Sequence, residues 1–128
     1  MQPSGNSSHR FGAKRRIRRR AEFQRVFESG QRVHGRFMTV LVAPNQAGTA
    51  RLGIVASKKL GDAVHRNRAK RLIREAFRRT APAADGAGLD VVVIPRRELF
   101  DAAYSTLEND FRAALRRCAG RLTRRDTH

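Results

Sequence analysis

Residues 62–79 constrain the fold most, because they predict a helix with two chemically opposite sides. Gly61 marks a turn, and Asp62 is suited to accept a hydrogen bond from a free backbone N–H of the first helical turn. At 3.6 residues per turn, the apolar side consists of Ala69, Leu72, Ile73, Ala76 and Phe77. The opposite side consists of Asn67, Lys70, Arg71, Arg74 and Arg78, with Arg68 and Arg79 at its margin. The fold must therefore bury one side of this helix and expose the other.

The cationic side has two interpretations. A solvated helix face normally mixes charges of both signs at i,i+4 spacing, and Glu75 is the only acid after Asp62 in this stretch. Like charges four residues apart, such as Lys70 and Arg74, repel each other and lower the stability of the unbound protein. We therefore favour a binding site for a polyanion over a solvated face.

The charge of the whole chain supports a polyanion partner. The chain of 128 residues is long enough for one domain, and its formal net charge is +17. Residues 1–80 hold 20 Lys and Arg against four acids, whereas residues 81–128 hold 8 against 7. Arg greatly outnumbers Lys, and its planar guanidinium suits phosphate. Nucleic acid is favoured over an anionic membrane, because no basic helix carries a wide exposed aromatic face.

Other classes of protein are disfavoured by what the sequence lacks. It contains no run of 18 apolar residues and no apolar segment typical of a secretory signal. Cys118 is the only cysteine, and no Cys/His cluster has zinc spacing, so we expect a cytoplasmic location and no metal site. The sequence has no Gly-rich loop that could hold a phosphate, and we expect no organic cofactor. The acids and histidines show no spacing typical of a nuclease centre. We therefore expect an RNA-binding protein with no catalytic residues of its own.

The N-terminal third predicts a tail, a basic arm and a short helix. Residues 1–13 are polar and are expected to be disordered. The basic arm that follows is expected to contact phosphates through Lys14, Arg15, Arg16, Arg18, Arg19 and Arg20. Residues 21–29 predict a helix that Gly30 ends, with Phe23, Val26 and Phe27 on one side. The two rings are either core residues or a surface on which unpaired bases stack.

The remaining segments predict a small sheet and a last helix. Residues 32–34 suggest an edge strand, and residues 37–43 and 51–57 alternate as the two strands of a hairpin. Residues 82–88 suggest a mobile loop, and residues 89–95 a buried central strand. A Ser105–Glu108 capping box predicts a last helix to about residue 120 that buries Leu107, Phe111, Ala114, Leu115 and Cys118.

This order predicts one α/β (α+β) two-layer sandwich over residues 14–120. Three helices would cover a small, mostly antiparallel four-stranded sheet, in the order α-β-β-β-α-β-α. Residues 121–128 would form a basic C-terminal tail. For the strand–helix–strand unit of residues 51–95, general rules predict a right-handed crossover.

The chain resembles the protein subunit of bacterial ribonuclease P. The resemblance rests on Ser57-Lys58-Lys59, a Gly turn and then Arg66-Asn67-Arg68-x-Lys70-Arg71-x-x-Arg74, and it covers roughly residues 11–118. It implies the opposite, left-handed crossover. It also implies a ribonucleoprotein endoribonuclease in which a catalytic RNA, with bound Mg²⁺, removes the 5′ leader from precursor tRNA. The partners are then the catalytic RNA and precursor tRNA, with no DNA and no membrane.

The resemblance also implies roles for particular residues. A groove for the single-stranded leader would be lined by Phe23, Phe27, Thr39, Leu41, Asn67, Lys70 and Arg74. The catalytic RNA would be contacted by Lys58, Lys59, Arg66, Arg68 and Arg71. Many family members carry a Tyr on the strand facing the groove, and the matching residue here is Leu41. Two alternatives are a ribosomal or other structural RNA-binding protein and a DNA-compacting protein; the order of the motifs disfavours the first, and the lack of long basic repeats disfavours the second.

Overall fold

The structure, a computed structural model, describes residues 16–84 and 88–126. Its elements are α1 (Arg20–Ser29), β1 (Gln31–His34), β2 (Met38–Pro44), β3 (Arg51–Ile54), α2 (Ala63–Ala84), β4 (Leu89–Pro95) and α3 (Tyr104–Asp126). Single helical turns at Lys58–Leu60 and Arg97–Asp101 precede α2 and α3. The predicted order of three helices and four strands is confirmed. The predicted tail of residues 1–13 lies outside the described residues.

The four strands form one mixed sheet in the order β1-β2-β4-β3. β4 pairs antiparallel with β2 and parallel with β3, so it is a central strand as its β-branched run predicts. The predicted hairpin between residues 37–43 and 51–57 is wrong, because β4 lies between β2 and β3. β4 is buried at nearly every residue, because helices cover both of its faces at the centre of the sheet. This position suits the most apolar strand. β3, α2 and β4 form the predicted strand–helix–strand unit, with β3 and β4 parallel. The left-handed crossover that the resemblance implies for this unit stays a prediction.

The helices lie on both faces of the sheet. The larger core joins α2 and α3 to one face, through side chains such as Phe77, Phe111, Val40 and Val93. The smaller core joins α1 and the segment before it to the other face, through Ile17, Val26, Leu41, Ala43 and Val92. The alternation predicted for β2 is confirmed, since Met38, Val40 and Val42 lie in the larger core and Leu41 lies in the smaller one. In β3, Leu52 and Ile54 pack on the larger core as predicted, but the strand ends at Ile54 and not at residue 57.

α2 begins as predicted and ends later than predicted. The Asp62 carboxylate accepts a hydrogen bond from the backbone N–H of His65 at 3.1 Å, which confirms Asp62 as the cap. The predicted apolar side is buried at Ala69, Ile73, Ala76 and Phe77. The helix continues to Ala84, so the predicted loop of residues 82–88 is wrong at its beginning. The small residues there are mostly alanines, which favour helix more than any other residue.

α3 begins one residue before its predicted cap. The backbone N–H groups of Thr106 and Leu107 bond to the carbonyl of Ala103, so the predicted capping role of Ser105 is wrong. Glu108 instead accepts a hydrogen bond from Arg112, at 2.6 Å. All five side chains predicted to be buried on this helix are buried. The helix runs to Asp126, so residues 121–126 extend it where we expected a separate tail.

The charged cluster around Asp90 ties three segments to the central strand. Asp90 is fully buried in β4, and its carboxylate accepts two hydrogen bonds from Arg51, at 2.8 and 2.9 Å. It also accepts one from Arg25 of α1 at 2.6 Å and one from the Asn45 amide at 2.7 Å. Arg51 reaches Glu22 of α1 as well, at 3.3 Å. The cluster therefore holds α1, β3 and the turn after β2 against β4.

The surroundings of Asp90 keep its carboxyl group charged. Burial by itself raises the pKa of Asp90, but the hydrogen bonds from Arg51 and Asn45 and the charges of Arg51 and Arg25 together lower it by more than burial raises it. The net pKa lies below the ordinary value of a carboxyl group. A group whose pKa is lowered by folding stabilises the folded state above its unfolded pKa, and this contribution is lost as the pH falls through the folded pKa.

Replacing Asp90 by Asn should destabilise the protein strongly. Removing one partner of a buried ion pair typically costs about 3–5 kcal/mol, so we expect Asp90→Asn to lower the free energy of unfolding by that amount. The exposed pair between Arg78 and Glu75 provides a control, because Arg78→Gln should cost about 1 kcal/mol or less. Urea denaturation at neutral pH measures both values.

The pH dependence separates loss of charge from loss of packing. The difference between the parent and Asp90→Asn should be constant above about pH 5 and should shrink as the pH falls below about 4. A difference that does not change between pH 6 and pH 3 would show that the Asp90 charge contributes nothing to stability.

Candidate nucleic-acid interface

α1 lies across the face of the sheet that α2 and α3 leave free. The chain first meets the sheet at the β3 edge, where the N–H of Ile17 bonds to the carbonyl of Leu52 at 2.9 Å. α1 then crosses the sheet, and Gly30 after its last turn leads into β1 at the opposite edge. Phe23 lies over Gly53 of β3, so close that a Cβ atom on Gly53 would be 2.5 Å from the ring. The absence of a side chain at residue 53 therefore sets the position of the Phe23 ring.

A pocket of about 150 Å³ lies where α1, the β3 edge and α2 meet. Its apolar lining includes the Phe23 ring and the backbone at Gly53. Its cationic lining comes from Arg16 before α1 and from Lys70 and Arg74 of α2. Three residues of the predicted groove, namely Phe23, Lys70 and Arg74, therefore meet at one place. Arg16 of the predicted basic arm joins them.

The electrostatics of this pocket favour an anion. Burial lowers the pKa of Arg74, and the positive charges of Arg16 and Arg71 lower it further. Arginine nevertheless keeps its charge in proteins, so these like charges repel one another in the unbound protein. Within residues 16–84 and 88–126, neither Arg16, Lys70, Arg71 nor Arg74 forms an ion pair with a carboxylate. A bound phosphate would remove this repulsion.

The cationic side of α2 is divided in two by Glu75. This carboxylate accepts hydrogen bonds from Arg78 at 2.6 Å and from Arg79 at 2.8 Å. These bonds lower the pKa of Glu75 to about 2. Arg78 and Arg79 are therefore partly neutralised, whereas no carboxylate of the described residues pairs with the cations of the preceding turns, from Arg66 to Arg74. The uncompensated part of the surface extends from Arg66 to Arg74.

The beginning of α2 and the turn before it carry the residues predicted to contact the catalytic RNA. Lys58, Lys59, Arg68 and Arg71 are exposed, and Arg66 is half-buried. Arg66 donates a hydrogen bond to the carbonyl of Gly61 at 3.1 Å. The Arg68 guanidinium lies over the Phe100 ring, 5.8 Å from its centre. Phe100 thus helps to place Arg68, a contact that the sequence does not suggest.

His65 is exposed, and two contacts fix its side chain. Its Nδ1 lies 2.8 Å from the Asp62 carboxylate, and its ring packs edge-to-face on Phe100 with 5.5 Å between ring centres. The hydrogen bond from the His65 side chain lowers the pKa of Asp62. Both side chains are more than half exposed, and the pair lies at the cap of α2.

The other predicted groove residues lie in different surroundings. Phe27 is 37% exposed and is one of two large apolar residues exposed in the described part of the chain. Asn67 is exposed and lies one helical turn before Lys70 and Arg71. Thr39 is only 6% exposed and contacts His34 and Arg96, so it lies away from the pocket at the β3 edge.

Leu41 does not line the groove. It is fully buried in the smaller core, together with Ile17, Val26 and Val92. The cause is the position of α1, which places Val26 on this part of the sheet. The expectation that Leu41 offers a surface to the leader is therefore wrong.

The predicted basic arm is described only from Arg16 onward, and Lys14 and Arg15 lie outside the described residues. Arg18, Arg19 and Arg20 are exposed at the beginning of α1. The backbone N–H groups of Arg18 and Arg19 bond to the Glu22 carboxylate, at 3.2 and 3.1 Å. These bonds fix the backbone of the arm against α1, and Arg16 is the arm residue that lines the pocket.

The part of the chain that the structure describes contains no group of three or more His, Cys, Asp or Glu residues that could hold a metal ion. The arrangement of rings and cations at this pocket can bind a polyanion and can stack on bases.

Sequence reasoning missed several residues that shape this surface. Asp90 could have been noticed, because an acid inside a β-branched run must find partners when the strand is buried. Gly53 could have been noticed as a glycine inside a strand, which often marks a close approach of another group. The contact between Phe100 and Arg68 has no signal in the sequence, because it joins segments about 30 residues apart.

Comparisons with known proteins agree with this geometry. A family model described as Ribonuclease P matches residues 11–119. The chain is 41% identical over 107 residues to the ribonuclease P protein component of Paramagnetospirillum magneticum, and the match covers 80% of each chain. It is 39% identical over 89 residues to that of Thermotoga maritima, covering 70% of this chain and 75% of the relative.

Two solved structures show the same fold. The ribonuclease P protein of Thermotoga maritima superimposes with a TM-score of 0.71 at 35% identity, covering 80% of this chain and 96% of that one. The ribonuclease P protein of Staphylococcus aureus superimposes with a TM-score of 0.68 at 36% identity, covering 80% and 93%.

The same substitution at two glycines should have opposite effects. Gly53→Ala forces the Phe23 ring to move, and overpacking of this kind typically costs about 1–3 kcal/mol. Gly120→Ala adds a methyl group in open space within α3, where alanine favours helix by about 0.5–1 kcal/mol. Thermal or urea denaturation should therefore show a less stable Gly53→Ala and a more stable Gly120→Ala. Equal stability of the two variants would contradict the close packing of Phe23 on Gly53.

Proposed function

Because the chain belongs to the family of ribonuclease P protein components, we propose that it binds the catalytic RNA of this ribonucleoprotein together with the 5′ leader of precursor tRNA. Membership in the family indicates a role in ribonuclease P activity and in tRNA processing, within an assembly that contains an RNA subunit. The proposal concerns how this chain contributes to that activity. It holds the leader in the groove beside α1 and contacts the catalytic RNA through the first half of α2.

The observation that carries the proposal is the pocket shared by the Phe23 ring and three cations, none of which pairs with a carboxylate of the described residues. Arg16, Lys70 and Arg74 come from two segments and converge beside one aromatic ring at the β3 edge. A protein that only binds folded RNA through phosphates needs the cations but has no use for a ring beside them. Aromatic rings next to cations are typical of sites for single strands, whose bases are free to stack.

The composition of this groove suits a leader of variable sequence. A ring stacks on any base, and cations follow the phosphates without reading the bases. Phe27, which is 37% exposed on α1, extends the aromatic surface beyond the pocket. Precursor tRNAs carry different leaders, so a shared processing protein needs this tolerance.

The catalytic RNA is the proposed partner of Lys58, Lys59, Arg66, Arg68 and Arg71. Arg66 and Arg68 have partly fixed positions, because Arg66 bonds to the Gly61 carbonyl and Arg68 lies on Phe100. Asn67, Lys70 and Arg74 are shared with the groove, so the leader and the catalytic RNA would lie next to each other along α2.

Hydrolysis is assigned to the RNA in this proposal. Mg²⁺ ions held mainly by the catalytic RNA would supply the hydroxide and stabilise the leaving oxygen. The protein contributes positioning, since uncompensated arginines and lysines would only repel a metal ion near α2. We place the assembly in the cytoplasm. Among the described residues, no helix has the length and apolar character needed to cross a membrane.

The proposal predicts that the protein alone does not cut RNA. Purified protein with Mg²⁺ should bind precursor tRNA weakly and leave it intact, because it offers no acid and base pair to the phosphodiester. Addition of a catalytic ribonuclease P RNA should give cleavage at the mature 5′ end, with a higher affinity for the precursor than the RNA has by itself. Specific 5′ cleavage by RNA-free protein, or no effect on the RNA, would contradict the proposal.

The salt dependence of RNA binding should change when Arg71 is replaced and should stay nearly the same when Arg78 is replaced. Each phosphate contact contributes about 0.7–0.9 to the slope of log affinity against log salt concentration. We therefore expect Arg71→Gln to reduce the slope for the catalytic RNA by about that amount. Arg78→Gln is the matched control on the same helix and should leave the slope nearly unchanged, because Glu75 already partly neutralises Arg78. Identical slopes for the parent and Arg71→Gln would exclude this part of α2 as a phosphate-binding surface.

A further inference from the structure

One row of residues across the sheet is left uncovered by α1. In this row Ile94 of β4 is opposite Thr39 of β2, and Thr39 is opposite His34 of β1. Val55, whose backbone N–H bonds to Val93, continues the row beside β4. His34 is exposed, and Ile94 and Val55 are half-buried. We call these four residues the open row.

The next row shows where α1 lies. It contains Gly53, Val92 and Leu41, and all three are buried beneath Phe23 and Val26. Arg25 bonds to Asp90 on one flank of α1. On a helix, Phe27 lies far from Arg25 around the axis, so it is on the flank that faces the open row. The open row and the exposed ring of Phe27 therefore form a continuation of the groove toward β1.

An imidazole and a guanidinium converge at the β1 end of the open row. His34 Nδ1 lies 3.2 Å from the hydroxyl oxygen of Thr39, and an Arg96 guanidinium nitrogen lies 3.5 Å from the same atom. Both side chains are exposed, whereas Thr39 is buried beneath them. In the described part of the chain, neither His34 nor Arg96 forms an ion pair with a carboxylate.

Arg96 is also fixed through its backbone. Its N–H bonds to the carbonyl of Phe37 at 2.9 Å, which ties the end of β4 to the turn between β1 and β2. The Thr39 hydroxyl lies next to the guanidinium, and in the described part of the chain no hydrogen bond involves the His34 Nε2 atom. A guanidinium and an imidazole placed in this way can both donate hydrogen bonds to one phosphate group.

The groove thus has a cationic group at each end and an apolar floor between them. Arg16, Lys70 and Arg74 lie at the β3 edge, and His34 and Arg96 lie at the β1 end. Adjacent strands are about 4.8 Å apart, so the open row spans about 14 Å between Val55 and His34. This arrangement suits an extended single strand, whose bases would pack on Ile94 and Phe27 while its phosphates meet the two ends.

We propose that His34 and Arg96 form a second phosphate-binding site for the single-stranded leader, at the opposite end of the groove from Lys70 and Arg74. This inference rests on the proposed function, because it assigns the ligand of the same groove. The leader would then run across the sheet from the β3 edge to β1.

The test uses the assembled complex of this protein with a catalytic ribonuclease P RNA. Its affinity is measured for precursor tRNA with a leader of about ten nucleotides and for the same tRNA without a leader. The variants are His34→Gln and Arg96→Gln. Arg97→Gln is the matched control for Arg96→Gln, because Arg97 is the next residue, is also exposed and loses the same charge. Melting temperatures confirm that each variant is folded.

We expect each of the two variants to weaken binding of the leader-bearing substrate by about three- to tenfold, as the loss of one charged hydrogen bond predicts. Arg96→Gln should also reduce the salt slope by about 0.7, the value for one phosphate contact on a single strand. The leaderless substrate should bind all variants as it binds the parent, and Arg97→Gln should match the parent with both substrates.

Two results would overturn the inference. Equal losses for both substrates would place His34 and Arg96 against the catalytic RNA or the tRNA body, and no loss for either substrate would exclude a phosphate contact. Lys70→Gln separates these results from a failure of the proposed function. If Lys70→Gln shows a leader-dependent loss and the two variants do not, only the second site is wrong; if Lys70→Gln shows none either, the leader groove itself is wrong.

Discussion

The buried Asp90 carboxylate is the interaction on which the rest of the binding surface depends. A charge in the centre of a sheet is stable only when it is paired and hydrogen-bonded, and here Arg25, Arg51 and Asn45 supply these bonds. Arg25 belongs to α1, so the same bonds that satisfy the charge fix the helix on the sheet. The position of α1 then decides which residues of the sheet are covered and which are left open. Phe23 and Phe27 take their positions on the groove from this arrangement.

Repulsion between the many positive charges lowers the stability of the unbound protein. The few acids reduce this repulsion where they form ion pairs with arginines. Asp90 and Glu22 neutralise arginines beneath α1, and Glu75 neutralises those at the middle of α2. None of these acids reaches the pocket formed by Arg16, Lys70 and Arg74. The repulsion that remains there is the part that a bound RNA can relieve, which explains why the charge is concentrated at the site and compensated elsewhere.

Much of the fold follows from periodicity along the chain. The cap at Asp62, the two sides of α2 and the alternation of β2 are local properties, and the structure confirms them. The position of β4 between β2 and β3 could not be predicted in this way, because strand order depends on contacts between distant segments. The extension of α2 was missed because small residues were interpreted as a loop, although alanine favours helix.

Only the part of the candidate site that depends on local periodicity could be predicted from the sequence. The cations of α2 share one helix face, so spacing alone brings them together. The burial of Leu41 and the convergence of His34, Thr39 and Arg96 depend on where α1 crosses the sheet, which is set by the Asp90 cluster. No pattern in the sequence reports that crossing.

Cross-linking from a single thiol on α1 tests the central claim most directly. Cys118 is fully buried and burial raises the pKa of its thiol to about 11, so Phe27→Cys introduces the one reactive thiol among the described residues. A short photoreactive group attached there, in the assembled complex with precursor tRNA, should cross-link to leader nucleotides. The same group at Gln46→Cys, in the exposed turn after β2, should not. Cross-links from position 27 only to the catalytic RNA or to the mature tRNA body would contradict a leader groove beside α1.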